Sequence, residues 1–103
     1  MRNNFMYDSR LGISIPDPPY GEDTYTGEEW EDFVLQWEGI KGTIPDRIKE
    51  IETIIHTKQN QLSQESNFEL SCHINSEIAD FASIINDLWL WYRKDIKAIK
   101  LHL

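Results

Sequence analysis

The chain lacks several features that mark common protein classes. It has one cysteine, Cys72, among 103 residues, so it can form neither an internal disulfide nor a CxxC zinc site. Its longest apolar run, Leu88 to Tyr92, is far shorter than the ~20 residues that span a bilayer. Basic residues are few as well: 10 Lys and Arg stand against 18 Asp and Glu, for a net charge of −8.

This acidic balance restricts the partners that the chain can bind. Nucleic acid phosphates and anionic membrane surfaces both attract an excess of Lys and Arg, so we expect neither as a partner. The first eight residues contain no apolar segment of the kind found in a secretory signal. We therefore expect a reduced, cytoplasmic protein, and export without a cleaved signal stays open as an alternative.

Motifs for catalysis are missing too. The sequence has no Gly-x-Ser-x-Gly turn and no glycine-rich phosphate loop. Cys72 and His73 are neighbours, and on a helix adjacent side chains point about 100° apart, so they cannot form a thiolate pair. We expect a protein that is not an enzyme and that binds no cofactor.

A metal-dependent helical enzyme is the third alternative for function. Glu52 and His56 are four residues apart, as are His73 and Glu77, and two Glu with two His suit a carboxylate-bridged metal site. Helical wheels, however, place the two pairs on flanks that diverge in an antiparallel helix pair. The Glu-x-x-His spacing of such sites is also absent. We expect two solvated pairs and no metal.

Residues 1–25 are predicted to form an extended arm. Prolines 16, 18 and 19 and glycines 12 and 21 exclude a regular helix, and residues 13–15 add at most one short strand. The arm either packs loosely on the rest of the chain or serves as a partner-binding peptide.

Three helices are predicted in residues 26–103, which we expect to form a single helical domain. A capping box at Thr26 and Glu29 starts a helix over 27–38, which Gly39 and Gly42 end. Its apolar row has helical spacing: Trp30, Phe33, Val34 and Trp37. A helix over 44–63 has Pro45 in its first turn, and a second capping box at residues 66–69 starts a helix over 67–98.

The predicted fold class is all-α. The two longer helices form an antiparallel hairpin with a long C-terminal helix, and the short amphipathic helix packs on it in a three-helix arrangement. The apolar rows shift phase between Leu62 and Leu70, which favours a hairpin over one unbroken helix.

Two groups of residues are candidates for partner binding. Seven acids and no base lie between Glu22 and Glu38, and Glu28, Glu31 and Asp32 are predicted to form a docking face for a basic partner. The alternative is a solvated helix whose first turn favours acids. The second group is Trp89, Leu90 and Trp91, which one neighbouring helix cannot cover together. Either the first helix or the N-terminal arm covers Leu90 or Trp91, or these side chains form an interface with a partner or a second copy. If they form an interface, Trp91→Glu is expected to abolish association without unfolding the chain.

These observations favour a small, acidic, non-catalytic interaction protein that binds another protein or itself. Its most specific form is an inhibitor or immunity-type protein that neutralises a basic enzyme, since opposite charges speed encounter. The alternative is a self-associating helical hairpin with a structural or secretion-linked role.

Overall fold

The computed structural model describes residues 4–17 and 25–94, most of which are helical. Two strands, β1 (Phe5–Asp8) and β2 (Ile13–Pro16), precede three helices, α1 (Gly27–Lys41), α2 (Ile44–Gln64) and α3 (Phe68–Arg93). The predicted helical character is confirmed, but the all-α class needs correction because a short β hairpin occupies part of the predicted extended arm. Residues 1–3 and 18–24 of that arm lie outside the described residues, as do residues 95–103 of the predicted helical domain.

The β hairpin pairs β1 with β2 in antiparallel register, with Phe5 opposite Pro16. The sequence predicted at most one strand here, at residues 13–15. The partner strand was missed because a distant contact supports it: the Phe5 ring stacks on Phe33 of α1, with 5.1 Å between ring centroids. The strand propensity of a short segment does not reveal such a contact with a distant residue.

Asp8 accepts two hydrogen bonds from the turn that joins β1 and β2. Its carbonyl oxygen accepts a hydrogen bond from the Gly12 N–H at 2.7 Å, and its Oδ1 accepts one from the Leu11 N–H at 3.0 Å. Gly12 has a φ of 78°, a conformation that glycine adopts without the clash of a Cβ atom. Gly12, which the sequence indicates only as a residue that excludes a helix, therefore has a defined role in a tight turn.

Two arginines fasten this turn to the helices. Arg10 reaches α3, where its guanidinium lies 2.7 Å from Asp87 Oδ2 and 3.0 Å from Ser83 Oγ. Arg47 of α2 donates from Nε to the Leu11 carbonyl oxygen at 2.9 Å. The hairpin is thus held against both longer helices.

The first helix, α1, begins at the capping box. The Thr26 hydroxyl accepts from the Glu29 N–H at 3.2 Å, and the Glu29 carboxylate accepts from the Thr26 N–H at 2.9 Å. The buried residues are the apolar row of the sequence: Trp30, Phe33, Val34 and Trp37. The helix continues past the predicted end at residue 38. Gly39 lies inside it, since one glycine costs a helix only about 1 kcal/mol, and Gly42 is the C-cap.

The longer helices are separate elements rather than one unbroken helix, because residues 65–67 between them are not helical. Asn67, not Ser66, caps α3: its Oδ1 accepts from the Leu70 N–H at 3.1 Å. The helix ends at Arg93 with Lys94 in extended conformation, and residues 95–98 of the predicted helix lie outside the described residues.

Lys58 of α2 marks where the two helices lie side by side. Its Nζ is 3.2 Å from Glu77 Oε2 and 6.0 Å from the centroid of the Phe81 ring, both on α3.

The core lies where the β hairpin, α1, the start of α2 and the end of α3 meet. Its most deeply buried side chains come from all three helices: Phe33, Trp37, Ile44, Ile51 and Leu88. From residue 52 to residue 87 no side chain is buried. Within the described part of the chain, α3 therefore has a buried side chain only at Leu88, and Leu70 near its start is 50% exposed.

Candidate functional site

The acidic side chains singled out by the sequence share one face of α1. Glu28, Glu31, Asp32 and Leu35 follow at intervals of three, four and seven residues, the spacing that aligns side chains along a helix. We call these four residues the acidic face. All four are exposed, and within the described residues the three carboxylates form no hydrogen bond or ion pair.

Leu35 is the member of the acidic face that sequence reasoning missed. It is 70% exposed, the most exposed apolar side chain of α1. The predictions for this helix rested on its buried row and on its charges. The signal was present in the sequence: Leu35 has helical spacing with the acids and is out of phase with the buried row.

An apolar groove runs along one side of Leu35, between α1 and the β hairpin. It has a volume of about 580 Å³ and is open to solvent. Its walls come from both elements: Tyr7, Gly12, Ile13 and Ser14 from the hairpin, and Leu35, Gln36, Gly39, Ile40 and Thr43 from α1 and the residues after it. We call it the hairpin groove.

A smaller depression lies on the other side of Leu35. It is lined by Trp30, Glu31, Val34 and Leu35 and has a volume of about 250 Å³. Leu35 therefore forms a ridge between two partly apolar hollows, with the acids toward the N-terminal end of the same helix.

The three apolar candidates at the end of α3 differ in their exposure to solvent. Trp89 is 38% exposed and meets the Tyr92 ring edge-on at 5.5 Å, and Leu90 is 55% exposed. Trp91 is half-buried and packs edge-on against Trp37 of α1, with 5.6 Å between ring centroids. Of the three, Trp89 and Leu90 remain on the surface, and Trp91 has a partner within the chain.

The two candidate groups are not brought together. Trp91 packs on Trp37, whereas Glu28 is nine residues before Trp37 and so points to the opposite side of α1. The acidic face and the exposed pair Trp89 and Leu90 are thus two separate surfaces.

Of the four residues considered as metal ligands, His73 and Glu77 take part in simple polar contacts. His73 Nε2 lies 3.7 Å from Glu77 Oε1, and the same carboxylate pairs with Lys58. Glu52 and His56 of α2 are exposed. Within residues 4–17 and 25–94, no three His, Cys, Asp or Glu side chains come close enough to hold a metal ion.

In the part of the chain that the structure describes, no helix combines the length and apolar character needed to cross a membrane.

Comparison of the chain with protein-family models, curated protein sequences and solved structures finds no match.

Proposed function

We propose that this protein is a small, acidic, non-catalytic interaction module that uses the acidic face of α1 to bind a basic surface of another protein. An inhibitor or immunity-type protein that covers a basic enzyme is its most specific form. The observation that supports the proposal is the exposure of three aligned carboxylates, Glu28, Glu31 and Asp32, without partners among the described residues.

Electrostatics favour this use of the surface. A partner cation that meets these carboxylates does not have to displace an ion pair already formed with another described residue. The net charge of −8 adds a long-range attraction for basic proteins, which raises the rate of encounter at low salt. Two of the chain's own cations, Arg10 and Arg47, are engaged in holding the β hairpin.

The proposal includes the finer architecture expected from the sequence. In it, α2 and α3 form an antiparallel hairpin against which α1 packs, and the protein acts in the cytoplasm. The edge-on contact between Trp37 and Trp91 and the contacts of Lys58 with α3 support the packing. This packing leaves the acidic face pointing away from α3.

The test compares two charge-reversal variants that change the net charge equally. Glu31→Lys/Asp32→Lys alters the acidic face, and Glu52→Lys/Asp80→Lys alters two exposed acids on the longer helices. Glu28 is left unchanged because it lies in the first turn of α1, where an acid favours the helix.

Each tagged protein is used to capture partners from the native host, and captured proteins are identified by mass spectrometry. We expect one basic protein that binds wild type and the control variant but is lost with Glu31→Lys/Asp32→Lys. Loss with both variants, or with neither, would refute a specific role of the acidic face.

Self-association through Trp89 and Leu90 is the second candidate function. It is supported by the exposure of these two neighbouring apolar side chains at the end of α3. Sedimentation across a range of salt separates the two functions. Charge-driven docking weakens as salt rises, whereas apolar self-association changes little.

A further inference from the structure

We infer that the hairpin groove and Leu35 bind an amphipathic helix of the basic partner, so that apolar side chains enter the groove while Lys or Arg side chains meet the acids. This inference rests on the proposed function and adds to it the kind of segment that the acidic face recognises. It follows from three features of the surface.

The first feature is the combination of apolar and acidic groups on adjoining surfaces. Leu35 is 70% exposed and separates two hollows, and the hairpin groove presents Tyr7 and the partly exposed Ile40. Tyr7 is itself 64% exposed. A partner that carried charge alone would leave these apolar side chains in water, whereas an amphipathic partner would cover them.

The second feature is spacing. Asp32 and Leu35 are three residues apart and Glu28 and Leu35 seven, which correspond to about 4.5 and 10.5 Å along a helix axis. A partner helix lying along α1 could place an apolar side chain against Leu35. Basic side chains about one and two turns away on that helix would then lie opposite Asp32 and Glu28. Its side chains would pack beside the Leu35 ridge in the way that ridges and grooves of helices interlock.

The third feature is the sign of the charge, which excludes a second copy of the same face. Two acidic faces in a symmetric contact would bring Glu28, Glu31 and Asp32 of both copies together, and like charges repel. A symmetric contact through this face is therefore unfavourable, and the occupant that the inference commits to is a basic segment of a different protein.

The experiment uses the full chain and two synthetic 14-residue peptides composed of Leu and Lys in the same numbers. In one peptide the leucines form a single helical face, and in the other they are distributed around the helix. Fluorescence anisotropy gives the affinity of each labelled peptide, and chemical shifts of the isotope-labelled protein locate the contact. We expect the amphipathic peptide to bind about tenfold more tightly and to shift the amide signals of Ile13, Leu35 and Ile40.

Matched variants then separate the groove from the charge. Leu35→Gln removes the apolar ridge without changing the charge, and Leu70→Gln does the same at a 50% exposed leucine on α3. We expect Leu35→Gln to lower the affinity for the amphipathic peptide about tenfold and Leu70→Gln to leave that affinity unchanged. Equal binding of the two peptides, or equal effects of the two leucine variants, would overturn the inference.

The charge variants distinguish failure of the inference from failure of the proposed function. If Glu31→Lys/Asp32→Lys lowers the affinity for both peptides while Leu35→Gln lowers neither affinity, the proposed function of the acidic face is supported and the inference about the groove is wrong. If this charge reversal leaves both affinities unchanged, the proposed function itself is wrong, and the inference falls with it.

Discussion

The side chain of Arg47 occupies the space that a side chain on Gly12 would need. A Cβ atom placed on Gly12 would lie 2.5 Å from Arg47 Nε, closer than such atoms approach in folded proteins. Arg47 also donates to the carbonyl oxygen of Leu11, the residue before this glycine. The turn of the β hairpin therefore depends on a glycine for two reasons, its positive φ and its arginine neighbour.

Gly12→Ala is expected to destabilise the protein by about 2 kcal/mol, because alanine is strained at this φ and its methyl group displaces Arg47. Urea unfolding followed by circular dichroism measures the change. Gly39→Ala is the matched control: apart from its chain neighbours and the nearby backbone of its own helix, no described atom lies within 4 Å of its Cβ position, and alanine inside a helix should stabilise by about 0.5–1 kcal/mol. Equal effects of the two variants would contradict this account of the turn.

Arg10→Ala is expected to cost about 1 kcal/mol or less, because both partners of its ion pair with Asp87 are partly exposed to solvent. A double-mutant cycle with Asp87→Ala isolates the interaction between the two side chains. The coupling should fall as salt is raised. A coupling that stays constant in molar salt would show that Arg10 contributes through packing rather than charge.

Trp30→Ala is expected to lower the free energy of unfolding by about 3–5 kcal/mol, since this ring is 8% exposed and packs at 5.5 Å from Phe33. Leu35→Ala, at the exposed side of the same helix, should change stability by about 0.5 kcal/mol or less. Denaturation followed by far-ultraviolet circular dichroism avoids dependence on tryptophan fluorescence. A loss below about 1 kcal/mol for Trp30→Ala would mean that α1 does not dock on the rest of the chain.

Substitutions at neighbouring positions 90 and 91 should have different effects. Leu90→Glu places a charge in solvent and is expected to leave the chain folded, whereas Trp91→Glu removes a ring packed on Trp37 and puts a charge against it. We expect Trp91→Glu to destabilise by about 2 kcal/mol or more. The sequence alone favoured Trp91→Glu as the variant that stays folded, and the contact with Trp37 changes that expectation.

Thermal unfolding and sedimentation of both variants provide the measurement. If the protein self-associates, Leu90→Glu should abolish association while the melting temperature stays close to that of wild type. An unfolded Leu90→Glu and a fully stable Trp91→Glu would reverse the assignment of the two side chains.

How far the sequence predicts this fold depends on whether the deciding contacts are local. The start of α1 was readable because Thr26 and Glu29 bond to each other within one turn. The strand at Phe5–Asp8 was not, because its support comes from Phe33, 28 residues further along the chain than Phe5. Sequence spacing describes a residue's own helix or strand and says little about the element that covers it.

The candidate surfaces also differ in whether they depend on one element or on contacts between two. The alignment of Glu28, Glu31 and Asp32 is a property of one helix, and the sequence contains it in full. The hairpin groove beside Leu35 is formed by two elements that meet only in the folded chain. The sequence also indicated that one neighbour could not cover Trp89, Leu90 and Trp91 together and that the first helix or the arm could cover one of them. It did not indicate that the covered side chain would be Trp91 or that Trp37 would cover it.

Because the buried side chains are concentrated at one end of the molecule, the free energy of local opening differs along α2 and α3. Residues 44–51 of α2 contain three buried isoleucines, whereas residues 52–87 contain no buried side chain. The ends of α2 and α3 nearest residues 65–67 can therefore separate without disturbing the core, at a free energy below that of global unfolding. Backbone amides of residues 52–64 should accordingly exchange with deuterium faster than those of residues 48–51. Uniform protection along α2 would show instead that the whole helix opens as one unit.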